Sequence, residues 1–205
     1  TNRLPSEETK MKKLLLISLF MVSLCYCDDS QNSPDAFISL ILGKVFIQKS
    51  DADHWSRARI NQTVVSEDQI RCDKKSRCEI KIGKQQVLRI GELTSIIVKN
   101  QINEPEIEVK TGRIWLNIIL EGEKLNLRTP TSVASIRGTV YRADADSNAT
   151  QFRVYEGEVG ISTLNDKGEI SSDSVFVLTL GQEFVITNDA EKFIEEEKQK
   201  QSQFI

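Results

Sequence analysis

From Leu40 to Ile186, apolar and polar residues alternate in short runs with a period of two. Lys124-Leu125-Asn126-Leu127-Arg128 and Glu106-Ile107-Glu108-Val109-Lys110 alternate most cleanly, and Gln85–Ile90, Ser95–Lys99 and Gln151–Tyr155 follow the same pattern. Such alternation turns one set of side chains inward and the other toward water, so it predicts strands. All ten glycines lie between Gly43 and Gly181 and punctuate these runs. Many strands with no helical period between them predict an all-β domain over residues 38–187, either a two-sheet sandwich or a short solenoid-like roll. No exact internal repeat is present, which argues against a long regular solenoid. After Ile186 the pattern stops. Residues 188–205 are charged and glycine-free, and Asn188-Asp189-Ala190 can cap a helix, so a short C-terminal helix is expected. Phe193 and Ile194 on it are candidate partner contacts.

The start of the chain has a different pattern. Lys12 and Lys13 precede an uncharged, mostly apolar stretch, Leu14–Leu24. That is too short to span a bilayer, which takes ~20 residues, but it suits an export signal over residues 11–27. Residues 1–10 are then expected to be a leader assigned in error ahead of Met11. Cys27 closes the signal and is the expected lipidation site, with Cys25 as the alternative. Neither is preceded by an ideal lipobox, since Tyr26 stands where a small residue is usual before Cys27 and Leu24 before Cys25. Residues 28–37 open with Asp28-Asp29-Ser30-Gln31-Asn32-Ser33-Pro34 and are expected to be a polar tether.

One run carries more information than the rest. Arg128-Thr129-Pro130-Thr131-Ser132 leads into apolar residues, then Arg137-Gly138-Thr139 and Val140-Tyr141. It predicts a strand that Pro130 begins, a tight turn at Gly138 and a second strand. Arg137 is charged within apolar sequence, and its five donors suit a structural role bridging strand backbones. Downstream stand Val154-Tyr155-Glu156-Gly157-Glu158-Val159 and Leu180-Gly181-Gln182.

These motifs, in this order, resemble the FecR family, periplasmic domains of bacterial envelope signalling. The pattern is Thr-Pro (Thr129, Pro130), then Arg-Gly-Thr (Arg137, Gly138, Thr139), a Glu-Gly hairpin (Glu156, Gly157) and a closing Leu-x-Gly-Gln around Gly181. Gly43-Lys44-Val45 and Trp55 fit the family's opening strand and tryptophan. Asp68-Gln69-Ile70 stands where the family has Gly-Asp-x-Ile, with Glu67 in place of the glycine. The resemblance covers roughly residues 40 to 187. It implies a non-enzymatic signalling role. Family regulators place a cytoplasmic anti-sigma segment and one transmembrane helix before this domain, and this chain is expected to be the periplasmic module alone, exported and lipid-tethered.

Net charge is −3 with both signs interspersed, unlike the basic face of a nucleic-acid binder. Cys72 and Cys78 flank the polar stretch Asp73–Arg77. A hairpin there would bring the two together, and an exported protein would oxidise them to a disulfide. Free thiols are the alternative, and a metal site lacks the further ligands it needs. His54 has no carboxylate or nucleophile at a catalytic spacing. Asp144-Ala145-Asp146-Ser147-Asn148 opens like a calcium loop but has Ala149 where glycine is required and Tyr155 at the last position, so a polar hairpin loop is expected. Trp115 is expected in the core and Trp55 at the surface, as a partner contact. The nearest thing to a catalytic pair is Glu156 with Glu158. No catalytic residue, metal or cofactor is therefore expected. The expected function is a non-catalytic periplasmic binding or sensing module in signal transduction or envelope assembly, recognising a protein, peptide or wall component. A small envelope hydrolase with a carboxylate site is the alternative, to be told apart by a pocket of converging carboxylates.

Overall fold

Inward-facing aliphatic residues recur at every second position along almost every strand, and they meet in a single core. In a computed structural model, residues 36–83, 86–101, 104–118, 124–165 and 167–189 are described, all within one unit, Pro34–Ile205. The strands in chain order are β1 (Ala36–Leu42), β2 (Val45–Gln48), β3 (Ser56–Arg57), β4 (Thr63–Val64), β5 (Gln69–Cys72), β6 (Arg77–Ile82), β7 (Gln86–Ile90) and β8 (Thr94–Gln101). They continue with β9 (Glu104–Ile118), β10 (Lys124–Arg128), β11 (Ser132–Arg137), β12 (Val140–Ala145), β13 (Ala149–Glu156), β14 (Glu158–Leu164), β15 (Ile170–Thr179) and β16 (Glu183–Thr187).

The pairings resolve into two layers. Layer A runs β4-β1-β6-β7-β9-β12-β13-β16. Layer B runs β3-β2-β5-β8-β9-β10-β11-β14-β15. All of these pairs are antiparallel except β9 with β10. Strand order within each layer largely follows chain order, so the chain winds between the layers as it advances. The architecture therefore combines the expected sandwich with the expected roll. Strand β9 belongs to both layers. Its first half pairs with β8 in layer B and its second half with β7 and β12 in layer A.

The change of layer within β9 happens at Gly112, whose φ is +101°. A Cβ there would stand 2.3 Å from Thr94 Oγ1. Thr94 uses the vacated space: its hydroxyl accepts from the Arg113 amide at 2.9 Å and donates to the carbonyls of Arg113 and Glu92. Ile38, Ile80, Leu88, Ile114, Leu116 and Phe152 from layer A pack with Ile47, Ile70, Ile96, Ile107, Leu127 and Ile161 from layer B in one core. Each is fully or nearly fully buried, and each such side chain contributes roughly 1.5–3 kcal/mol of transfer free energy.

Buried hydroxyls also tie the layers together. Thr131 donates to Thr150 at 2.8 Å, and Thr150 donates to Thr129 at 2.9 Å. Thr129 in turn accepts from the Ser132 amide. Thr129 and Thr131 lie in the β10–β11 turn of layer B, and Thr150 lies on β13 of layer A.

Several expectations need correction. Pro130 sits exposed in the β10–β11 turn, and β11 begins at Ser132. The Arg137-Gly138-Thr139 turn is not a hairpin: β11 lies in layer B and β12 in layer A, so Gly138 marks a corner where the chain crosses. Glu156-Gly157-Glu158 is likewise a corner, returning from β13 to β14. The same holds at Cys72 and Cys78, since β5 pairs with β2 and β8 whereas β6 pairs with β1 and β7. Strand β1 starts at Ala36, inside the expected tether. The signal, both lipidation candidates Cys25 and Cys27, the C-terminal helix, Phe193 and Ile194 lie outside the described residues, as does the side chain of Arg137.

Candidate functional site

Two adjacent rows of outward side chains cross layer A from β1 to β16. The register aligns Leu40, Glu79, Arg89 and Trp115, and continues through Arg142, Arg153 and Glu183. The second row starts at Leu42 and Arg77, passes Gly91, and continues through Arg113, Asp144, Gln151 and Val185. Gly91 leaves the floor low in the middle of this row. The result is an open groove of about 1190 Å³ over the layer.

Trp115 lies on this outer face and not in the core. Ile114 and Leu116 on either side of it point inward and are fully buried, so strand parity turns Trp115 outward. The guanidinium of Arg89 lies 4.5 Å from its ring centroid, a cation–π contact. Leu40 and Leu42 are exposed at one rim and Val185 at the other.

The charges of the groove are arranged unevenly. Arg89 donates to Glu79 at 2.9 Å, and Ser39 donates to the same carboxylate at 2.8 Å. Arg142 donates to Asp144 at 2.5 Å, and Arg113 donates to it from the other side. Arg153 donates to Glu183. The Arg89 hydrogen bond, helped by that from Ser39, holds the Glu79 carboxyl below the usual range against its partial burial. Burial would raise Asp144, but the bonds from Arg142 and Arg113 outweigh it and keep that carboxyl low too. Both groups are thus ionised at neutral pH and committed to arginines, a poor arrangement for general acid–base chemistry. Arg77 has no ion-pair partner among the described residues.

The motif residues have structural surroundings. Gly138 and Gly157 both have positive φ, and a Cβ on Gly157 would stand 2.7 Å from the Gly138 carbonyl oxygen. Thr139 donates to the Glu158 carbonyl at 2.8 Å, fastening one corner to the next. Glu156 and Glu158 are both exposed beside this corner. At Gly181 the amide donates to the Val154 carbonyl, closing the β15–β16 corner on β13. Asp68 is fully buried and accepts from Lys49 Nζ at 2.5 Å and from the amides of Ser50 and Val65. The preceding Glu67 has a φ of +66°, the conformation that suits a glycine.

Trp55 is half-buried on the far side of the roll, on layer B. Arg71 lies 4.8 Å over its ring and 5.3 Å over Phe46, which Arg57 approaches from another side at 5.1 Å. His54 is exposed beside it. Asp146 accepts from the amides of Asn148 and Ala149, shaping the β12–β13 hairpin loop. Cys72 and Cys78 are free thiols, both buried. They are neighbours across the core: Cys72 Sγ lies 3.9 Å from the carbonyl of Ile90, the residue paired with Cys78.

Residues 68–160 match the protein family described as FecR protein. No curated protein matches the chain. Two crystal structures of a proposed anti-sigma factor from Parabacteroides distasonis are similar at 14% and 15% identity, each with a TM-score of 0.49. The likeness covers 58% of this chain and 55% of theirs, so the chain spans little more than half the length of that protein.

Proposed function

Because residues 68–160 match the FecR family, we propose that this chain is a non-catalytic sensing module of the bacterial envelope, acting in signal transduction by binding a peptide segment of a partner protein. In this reading the chain is exported and held at a membrane through lipid on Cys27. The groove on layer A is the recognition surface, and its uneven charge is the observation that carries the reading. Every carboxylate in the two rows is tied to an arginine, whereas Arg77 is left over beside the exposed Leu40 and Leu42. A segment that combines apolar and acidic side chains satisfies both features. Glu79 and Asp144, both held in the ionised form, favour binding over hydrolysis.

Site-specific photo-crosslinking in native envelopes tests the proposal. A photoreactive residue at position 42, which leaves Arg77 intact, should capture a discrete partner, and one at the exposed Lys167 should not. Arg77→Glu, probed from position 42, should lose the adduct. Equal capture from positions 42 and 167 would remove the groove as the recognition surface, and a reproducible hydrolase activity would favour the enzyme reading.

A further inference from the structure

Layer B ends on β15, which pairs only with β14 among the described residues. At the other end of the roll the edge strands β3 and β4 are two residues long, a common way of blunting a free edge. β15 is not blunted. It runs for ten residues, Ile170–Thr179, and from Ser174 to Leu180 the sequence has no charge and no proline. Val175 and Val177 are exposed on its outer side. On its inner side Phe176 packs against the core, its ring centroid 4.9 Å from that of Phe184, and both rings stay partly exposed.

Thr179 shows which backbone groups of β15 face the open edge. Its N–H donates to Gln182 Oε1 at 2.7 Å, and its carbonyl accepts from the Gln182 amide at 3.0 Å, so both point away from β14. Successive residues of a strand direct these groups to opposite edges. Those of Val175 and Val177 therefore point to the open edge as well. With Thr179 taken up by Gln182, the free stretch centres on Val175-Phe176-Val177, which reads the same in both directions.

We propose that β15 pairs antiparallel with β15 of a second copy of this chain, about a two-fold axis at Phe176. Val175 then faces Val177 of the second copy, and Val177 faces its Val175, each pair exchanging both ladder hydrogen bonds. Phe176 faces its own counterpart on the core side, where an aromatic cross-strand pair is favourable. No charge meets a like charge, because the paired stretch has none. A strand of another protein would gain the same backbone bonds, but the symmetric order Val-Phe-Val matches the chain to itself. The pairing joins layer B of two copies into one sheet, and it stands independently of the groove on layer A.

Disulfide trapping of the full chain in its own envelope tests the register. Val175→Cys and Val177→Cys expressed together should give a crosslinked dimer, because facing residues lie about 5.5 Å apart, within reach of a disulfide. Either variant alone should give about a tenth as much or less, because its two cysteines lie about 9 Å apart. Val185→Cys, exposed on β16, should trap nothing. The double variant Val175→Lys, Val177→Lys should weaken self-association of the purified full chain about tenfold in sedimentation, and so should Val175→Glu, Val177→Glu, since like charges then face each other. Mixing the two double variants should restore the dimer, which separates lost pairing from lost folding. Absence of the mixed disulfide would overturn the inference. Equal trapping from either single variant would do the same, as would an adduct with a different protein in place of the second copy.

Discussion

Gly157 packs against the backbone of Gly138 so closely that a Cβ on Gly157 would stand 2.7 Å from the Gly138 carbonyl oxygen. The reverse does not hold, because a Cβ on Gly138 would meet nothing within 4 Å. Both residues have positive φ, +64° at Gly138 and +75° at Gly157. Gly138→Ala should therefore cost only the left-handed backbone, about 1–2 kcal/mol. Gly157→Ala adds a collision with backbone and should cost about 3 kcal/mol or more. Urea unfolding of both variants measures the order, and a larger loss at Gly138 would contradict this packing.

Position 67 offers the opposite experiment. Glu67 holds a φ of +66° at a corner, and nothing in that conformation requires a side chain. Glu67→Gly should leave stability unchanged or raise it by up to about 1 kcal/mol. The neighbouring Asp68→Ala should lower it by about 3 kcal/mol, because Lys49 and the amides of Ser50 and Val65 lose their acceptor. Thermal melts of the two single variants decide both signs.

Tyr141 is fully buried against Phe152, and its hydroxyl has no hydrogen-bond partner among the described residues. Burial also pushes its pKa well up. Removing the hydroxyl removes an unsatisfied polar group, so Tyr141→Phe should be neutral or stabilising by about 1 kcal/mol. A loss above that size in urea unfolding would mean that the hydroxyl is satisfied in solution.

The thiols at 72 and 78 should be unreactive in the folded protein. Burial, with a smaller contribution from Asp73, pushes Cys72 up to about 12. Burial, then Cys72 and Glu79, pushes Cys78 higher still. Because the thiolate is the reactive form, alkylation at neutral pH should be slow until denaturant is added and should then modify both. Rapid labelling of the native protein would show that the core opens. Failure to label after denaturation without reductant would show that the pair had been oxidised.

Acid should destabilise the groove. Glu79 and Asp144 both titrate below their usual range in the folded state. Their contribution is present above the unfolded carboxylate pKa of about 4 and is lost as pH falls through the lower folded values. Stability should therefore drop below about pH 4, and the double variant Glu79→Gln, Asp144→Asn should flatten that limb of the curve. An unchanged acid limb would mean that these ion pairs contribute nothing to it.

The strands were legible because parity is local: Leu125 and Leu127 turn inward and Asn126 does not, as their alternation requires. The layer to which each strand belongs was not legible. A glycine that reverses the chain within one layer looks the same in sequence as one that carries it to the facing layer, as at Gly138 and Gly157. Trp115 was readable in principle, since Ile114 and Leu116 fix its parity, but an aromatic in apolar sequence invites assignment to the core. The groove could not have been read directly, because Leu42, Arg77, Arg113 and Val185 fall into one row only through the cross-strand register of distant segments.

The continuity of β9 has a mechanical consequence. Glu106 and Trp115 lie on one unbroken backbone, the first in layer B and the second under the groove of layer A. Any change in coiling that a bound segment imposes near Trp115 must pass through Gly112 into the strands around Glu106, since no loop intervenes to absorb it. The protein can thus behave as a lever whose pivot is a single residue pressed against Thr94. Stiffening or loosening that pivot would alter how far a disturbance on one side is felt on the other.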